Sequence, residues 1–123
     1  MVTDLGGFVA STFKRGIKFI NIPTTLLSMV DASVGSKTGV DLDNLKNLIG
    51  LFSNPEMVLI DTSYLETLPE RELKSGVAEV IKYGLTFDSK LLEAIYQDKW
   101  KNAQELDAII YQYYGSIVLL NLF

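Results

Sequence analysis

The sequence predicts an α/β layer followed by a helical region, and three observations carry that fold class. Two short apolar runs, Ile17 to Ile22 and Met57 to Ile60, read as buried strands. Helical patterns alternate with them, as a layered α/β architecture requires. From Thr67 onward, helical stretches follow one another with no strand signal between them. The implied boundary separates an α/β part, residues 1–66, from a helical part, residues 67–123.

Taken in order, Asp4 to Phe13 sets Gly6, Gly7, Ala10 and Ser11 beside Leu5, Phe8, Val9 and Phe13, the composition of a helix packed closely on a sheet. Two adjacent glycines work against that helix. Pro23 closes the first strand run, and a loop begins at Thr24. Thr24 to Val34 is mostly apolar until Gly35-Ser36-Lys37-Thr38-Gly39 breaks the pattern and forms the expected ligand-facing loop. Asp43 to Leu51 reads as a short helix, Asn54-Pro55 as a turn, and Met57 to Ile60 as a strand ending at Asp61. Thr67 and Glu70 have capping-box spacing with Pro69 in the first turn, so a helix starts there and runs to about Gly84. Helices over Ser89 to Gln97 and Ala103 to Leu119 complete the chain. Ile117 to Phe123 is nearly all apolar, a surface expected to pack on further protein and so to mark a fragment.

Composition narrows the function. With 123 residues, 48% of them apolar, the chain is sized for one packed domain. A net charge of −4 argues against a basic surface that would collect nucleic acid or anionic lipid. The apolar runs are far shorter than the roughly 20 residues of a membrane span, and Met1 to Gly7 does not read as a signal peptide. There is no cysteine, which fits a reducing cytoplasm and removes thiolate metal sites. There is also no histidine, so acid, base or ligand chemistry falls to Asp, Glu, Lys or Tyr.

Three constellations then stand out, each with two readings. Glu72, Glu79 and Lys82 fall on neighbouring azimuths of one helix, next to a stripe of Leu73, Val77, Val80 and Ile81. They form either a converging polar site or a solvated face with an ordinary Glu79–Lys82 ion pair. The glycines around Lys37 make either an anion-holding loop or a plain turn, and the spacing is not that of a Walker A motif. Thr24-Thr25 either holds a cofactor through its hydroxyls or caps the next helix.

Their combination and order add a resemblance. Asp4-Leu5-Gly6-Gly7-Phe8-Val9-Ala10, Lys14-Arg15-Gly16 and Ile22-Pro23-Thr24-Thr25-Leu26-Leu27 are followed by Val30-Asp31-Ala32-Ser33-Val34-Gly35-Ser36-Lys37-Thr38-Gly39-Val40 and Lys46-Asn47. Leu68-Pro69-Glu70-Arg71-Glu72 and Gly76-Val77-Ala78-Glu79-Val80-Ile81-Lys82-Tyr83-Gly84 complete the set. Over about residues 2–98 the chain thereby resembles the 3-dehydroquinate synthase family of sugar-phosphate cyclases.

The resemblance implies the C-terminal part of a Rossmann-like NAD-binding layer followed by the start of an all-helical domain. It implies a carbon–oxygen lyase of the shikimate pathway, and so of aromatic amino acid biosynthesis, that converts 3-deoxy-arabino-heptulosonate 7-phosphate to 3-dehydroquinate and phosphate. NAD and a divalent metal, zinc or cobalt, would serve as cofactors in a cytoplasmic homodimer. By residue, it implies NAD contacts from Asp4, Thr24, Thr25, Lys37, Lys46, Tyr64 and Thr67. Substrate contacts would come from Arg15, Asp31, Lys37, Asn47 and Lys82, with Asp31 and Lys82 catalytic and Arg15 reaching the phosphate held by a neighbouring subunit. Glu79 would be one metal ligand.

Three departures qualify the match. The family completes its metal with two later histidines, and this chain has none. The glycine-rich dinucleotide turn and first strands are not in the sequence, and Ser36 stands where the family has glycine. A related cyclase with another product and a non-catalytic association module are therefore the competing expectations.

Overall fold

A computed structural model describes residues 2–33 and 35–120, without the side chains of 117–120. The apolar surface read from Ile117 to Phe123 therefore lies outside the described side chains. The structure is mixed α/β and divides into two compact units. One comprises Met1–Pro23 with Ala32–Ile60, the other Thr24–Asp31 with Asp61–Phe123.

In the first unit, helix α1 (Val2–Thr12) packs on an antiparallel hairpin of β2 (Lys37–Leu42) and β3 (Leu45–Phe52). The approach is close because Gly7 faces Thr38: a Cβ there would stand 2.6 Å from Thr38 Cγ2. Register runs Lys37↔Phe52, Thr38↔Leu51, Gly39↔Gly50 and Val40↔Ile49, with an irregularity between Val40 and Leu42. β1 (Ile20–Asn21) and β4 (Met57–Val58) pair in parallel, Ile20 opposite Met57.

Three expectations are corrected in this unit. Asp43 to Leu51 is not a helix but the hairpin turn and most of β3. Leu45, Leu48 and Ile49 have helical spacing, yet the ladder to β2 satisfies the backbone at long range and decides the outcome. The Gly35-to-Gly39 stretch is likewise only partly loop, since Lys37, Thr38 and Gly39 open β2. The runs at Ile17 to Ile22 and Met57 to Ile60 do contain strands, but these are exposed rather than buried, Ile20 at 56% and Met57 at 55%. Parallel strands are buried when helices cover both faces, and this pair has a single neighbour each among the described residues.

The second unit is helical from Glu70 onward: α2 (Glu70–Thr86), α3 (Ser89–Tyr96) and α4 (Ala103–Leu120). Its core joins Leu26, Met29 and Val30 to Val77 and Val80 of α2, Leu91 of α3, and Leu106, Ile109, Ile110 and Tyr113 of α4. The periodic stripe on α2 is thus half confirmed: Val77 and Val80 are buried, while Leu73 and Ile81 are partly exposed. Asp88 caps α3 by accepting from Lys90 N at 3.0 Å. The same carboxylate accepts from Gln112 Nε2 at 3.0 Å and Ser116 Oγ at 2.7 Å, tying α3 to α4.

The Thr67 capping box does not form. Thr62–Thr67 is a 3-10 turn, Leu68 is extended, and Pro69 is the N-cap with no side-chain hydrogen bond. The free amides of Glu72 and Leu73 are instead met by the Pro69 carbonyl, at 2.9 and 3.0 Å. Thr67 is used up as the last residue of the preceding turn and cannot serve as a cap.

Candidate active site

The residues singled out from sequence fall into both units. Asp4, Arg15, Lys37, Lys46 and Asn47 belong to the first, and Thr24, Thr25, Asp31, Tyr64, Thr67, Glu79 and Lys82 to the second.

In the first unit, Asp4, Lys37 and Asn47 line one cavity of about 370 Å³, floored by Thr38, Gly39 and Gly50. Small residues are needed there, since a Cβ on Gly50 would lie 2.6 Å from the Thr38 carbonyl oxygen. Asn47 sits at the hairpin irregularity with φ of 52°, and its backbone N–H donates to Asp41 Oδ1 at 2.8 Å. Asn tolerates left-handed backbone better than most residues, and such bulges re-aim side chains beside active sites. Lys46 is exposed next to Asn47 and does not line the cavity.

Arg15 lies on an exposed turn outside that cavity. Lys14, Arg15 and Gly16 are all left-handed, with φ of 48°, 70° and 110°. Each non-glycine residue held there costs about 1–3 kcal/mol, and such strain clusters at functional sites. Ser36 is not among the described residues with positive φ, so a side chain at that position carries no left-handed strain.

In the second unit, the charge of Asp31 reaches Lys82 of α2. Lys82 Nζ pairs with Glu79 Oε2, and the Asp31 carboxylate adds its field to the same ammonium. Hydrogen bonding to Glu79 is the main cause that holds the Lys82 pKa above the usual lysine value; desolvation opposes it, and the charges of Glu79 and then Asp31 add to the rise. The side chains of Lys82 and Glu79 are 65% and 29% exposed, so the pair adds little to stability and stays open to solutes. Glu72 makes no described contact with either; its role in the converging group has no structural support among the described residues.

Thr25 behaves as a cap. Its Oγ1 accepts from Ser28 N at 3.2 Å, and Ser28 Oγ donates to the Thr25 carbonyl at 2.8 Å, closing the turn before Ser28–Ala32. That turn is a π-helix, a rare conformation concentrated at functional sites, and it carries Asp31. Thr24, Tyr64 and Thr67 are exposed on the loop and the 3-10 turn.

Sequence reasoning missed the tyrosines behind this cluster. Tyr113 is buried on α4 and stacks with Tyr83 of α2 at 4.7 Å between ring centres. Burial, with the charge of Asp31 the next cause, raises the Tyr113 phenol far above its ordinary pKa, so it stays a neutral hydroxyl. The run Tyr111-Gln112-Tyr113-Tyr114 was the available signal, although only Tyr113 of its three tyrosines is buried, Tyr114 being partly exposed and Tyr111 exposed.

For cofactors, the cavity in the first unit offers an ammonium, a carboxylate and an amide, which suits a ligand bearing hydroxyls and phosphates such as NAD. A zinc or cobalt centre does not fit the described residues taken alone. They contain no group of three or more His, Cys, Asp or Glu able to hold a metal, and Glu79 is already paired with Lys82. No described helix is long and apolar enough to cross a membrane.

The family model for 3-dehydroquinate synthase N-terminal matches residues 1–75. The 3-dehydroquinate synthase of Sulfurisphaera tokodaii is 52% identical over 115 residues, which cover 90% of this chain and 33% of the relative. The chain spans about a third of the length of the curated relatives it matches. Among solved structures, 2-epi-5-epi-valiolone synthase from Streptomyces hygroscopicus subsp. jinggangensis 5008, with NAD+ and Zn2+ bound, superposes with a TM-score of 0.84 at 32% identity, covering 94% of this chain and 34% of that one. A 2-deoxy-scyllo-inosose synthase complexed with carbaglucose-6-phosphate, NAD+ and Co2+ superposes at 0.66 with 36% identity, over 68% of this chain and 23% of its own.

Proposed function

Because the chain belongs to the 3-dehydroquinate synthase family, we propose that it supplies cofactor- and substrate-binding residues to an NAD-dependent sugar-phosphate cyclase. The reaction is the conversion of 3-deoxy-arabino-heptulosonate 7-phosphate to 3-dehydroquinate and phosphate. The single observation that carries this reading is the open Asp31, Glu79 and Lys82 cluster on α2 and the π-turn beside it. Phosphate elimination from a hydroxy acid needs fixed cations and a carboxylate within reach of a hydroxyl, and this cluster has that chemistry.

When bound, NAD would supply oxidation at the substrate carbon that bears a hydroxyl, accepting hydride from that carbon, and the reverse reduction later in turnover. Lys82 remains protonated near neutral pH, since its pKa is raised, so it orients substrate oxygens by donating hydrogen bonds and does not abstract a proton. Asp31 accepts from a substrate hydroxyl. Lys37 and Asn47 bind polar groups that enter their cavity, and Arg15 grips phosphate bidentately across a homodimer contact. Asp4, Thr24, Thr25, Lys46, Tyr64 and Thr67 are the remaining residues assigned to NAD.

The 123 residues do not turn over alone, because Glu79 has no histidine partners in the sequence. A second reading, a cyclase of the same apparatus with a different product, is favoured by the solved structures of two such synthases at 32% and 36% identity.

The test is a chimera in which this chain replaces the matching third of the Sulfurisphaera tokodaii relative. Phosphate release with the heptulosonate and formation of 3-dehydroquinate support the first reading; turnover only with another sugar phosphate supports the second. Arg15→Ala in the chimera raises KM for the sugar phosphate by about 10- to 100-fold, the equivalent of a charged hydrogen bond, and leaves NAD binding unchanged. Weakened NAD binding with an unchanged KM would refute the assignment of Arg15.

A further inference from the structure

Met29 is fully buried, and it lies among the last four residues of a helical turn that ends at Ala32. A buried backbone carbonyl is fixed in direction by the donors that reach it. Tyr114 supplies one: its hydroxyl, from α4, donates to the Met29 carbonyl oxygen. Two residues further on is Asp31, exposed and facing Lys82 and Tyr113 electrostatically. On its other side the turn is held by Leu26, whose side chain fills the notch over Gly76 of α2, and by the Thr25–Ser28 hydrogen bonds.

We propose that Tyr114 is a positioning residue for Asp31: by fixing the Met29 carbonyl it sets the pitch of the π-turn and holds the carboxylate in place beside Lys82. The ring of Tyr114 also meets that of Tyr113 edge-on at 6.0 Å, so the hydroxyl is aimed by packing. This role rests on the reading of Asp31 as a substrate ligand.

The test combines a spectral and a kinetic measurement on Tyr114→Phe, which keeps the ring and removes only the donor. In the 123-residue chain, the carbonyl carbon resonance of Met29 moves upfield and the Asp31 resonances shift with it. In the chimera, Tyr114→Phe lowers kcat/KM by about five- to tenfold, the factor matching one neutral hydrogen bond. In an Asp31→Asn background it lowers it no further. Unmoved Asp31 resonances, or an equal loss in both backgrounds, would overturn the proposal, since either would make Tyr114 a general stabiliser only. If Asp31→Asn itself leaves kcat/KM unchanged, the assignment of Asp31 fails and this one with it; a shifted Met29 resonance then shows that the hydrogen bond was real and the reading of Asp31 was at fault.

Discussion

Replacing Gly76 by alanine pits a local gain against a tertiary loss. In a free helix, alanine is favoured over glycine by about 1 kcal/mol. At Gly76 the added Cβ would lie 2.5 Å from Leu26 Cγ, 2.6 Å from Leu26 Cβ and 2.7 Å from Leu27 N. Carbon contacts relax at about 3.5–4.0 Å, so the overlap approaches 1 Å on three atoms at once. Leu26 is fully buried and one of the three is a backbone nitrogen, so no side-chain rotation relieves the clash. Overpacking of this kind costs about 1–3 kcal/mol, and with the main chain involved the upper half of that range applies. The net expectation for Gly76→Ala is a loss of about 1–2 kcal/mol, read as a urea midpoint lower by on the order of 1 M. Gly115 of α4 is the control, because a Cβ there meets nothing within 4 Å. Gly115→Ala should therefore gain up to about 1 kcal/mol. Leu26→Ala should relieve the Gly76→Ala cost only in part, since it removes Cγ and leaves Cβ and the Leu27 amide in place. A Gly76→Ala chain as stable as Gly115→Ala would refute the packing of residues 24–31 on α2.

Other outcomes follow from single groups. Asp88→Ala should cost on the order of 1–2 kcal/mol, as loss of an N-cap does, measured by urea unfolding at neutral pH. Hydrogen bonds from Gln112 and Ser116 hold the Asp88 pKa below its ordinary 3.8, so its contribution is present above that pH and is lost as pH falls through the lower folded value. A variant with the same acid-limb profile as the parent would contradict this. Tyr83→Phe should leave the melting temperature unchanged or slightly higher, because the Tyr83 hydroxyl is buried without a hydrogen-bond partner among the described residues. A clear drop would reveal a partner. Glu79→Gln should lower the Lys82 titration midpoint seen by NMR. Because the folded pKa is raised, the pair's stabilisation is present below the ordinary lysine value of 10.5 and disappears as pH climbs through the folded one. An unmoved midpoint would exclude Glu79 as the principal cause.

The candidate site was legible as a set of residue types and illegible as a set of neighbours. Glu79 and Lys82 could be paired from sequence because one helical turn separates them. Asp31 could join them only through the fold, and so could the tyrosines on α4 that line the cluster from behind. Glu72 had a neighbouring azimuth by spacing and no described side-chain contact with Glu79 or Lys82, which shows how little a shared helix face says about a shared ligand.

By itself the sequence determined the helices α2, α3 and α4 and the existence of α1, because their hydrogen bonds close within a few residues and their apolar period is written locally. Only the tertiary structure decided that Lys37 to Phe52 is a hairpin, that Gly76 is a notch for Leu26, and that Pro69 rather than Thr67 starts α2. In the first two cases the partner is remote: a ladder joins Lys37 to Phe52, and a glycine is needed only because a leucine from a distant turn lies over it. A periodicity of Leu45, Leu48 and Ile49 can serve either a helix or a strand, and the chain resolves it by which backbone groups find partners once the unit is packed.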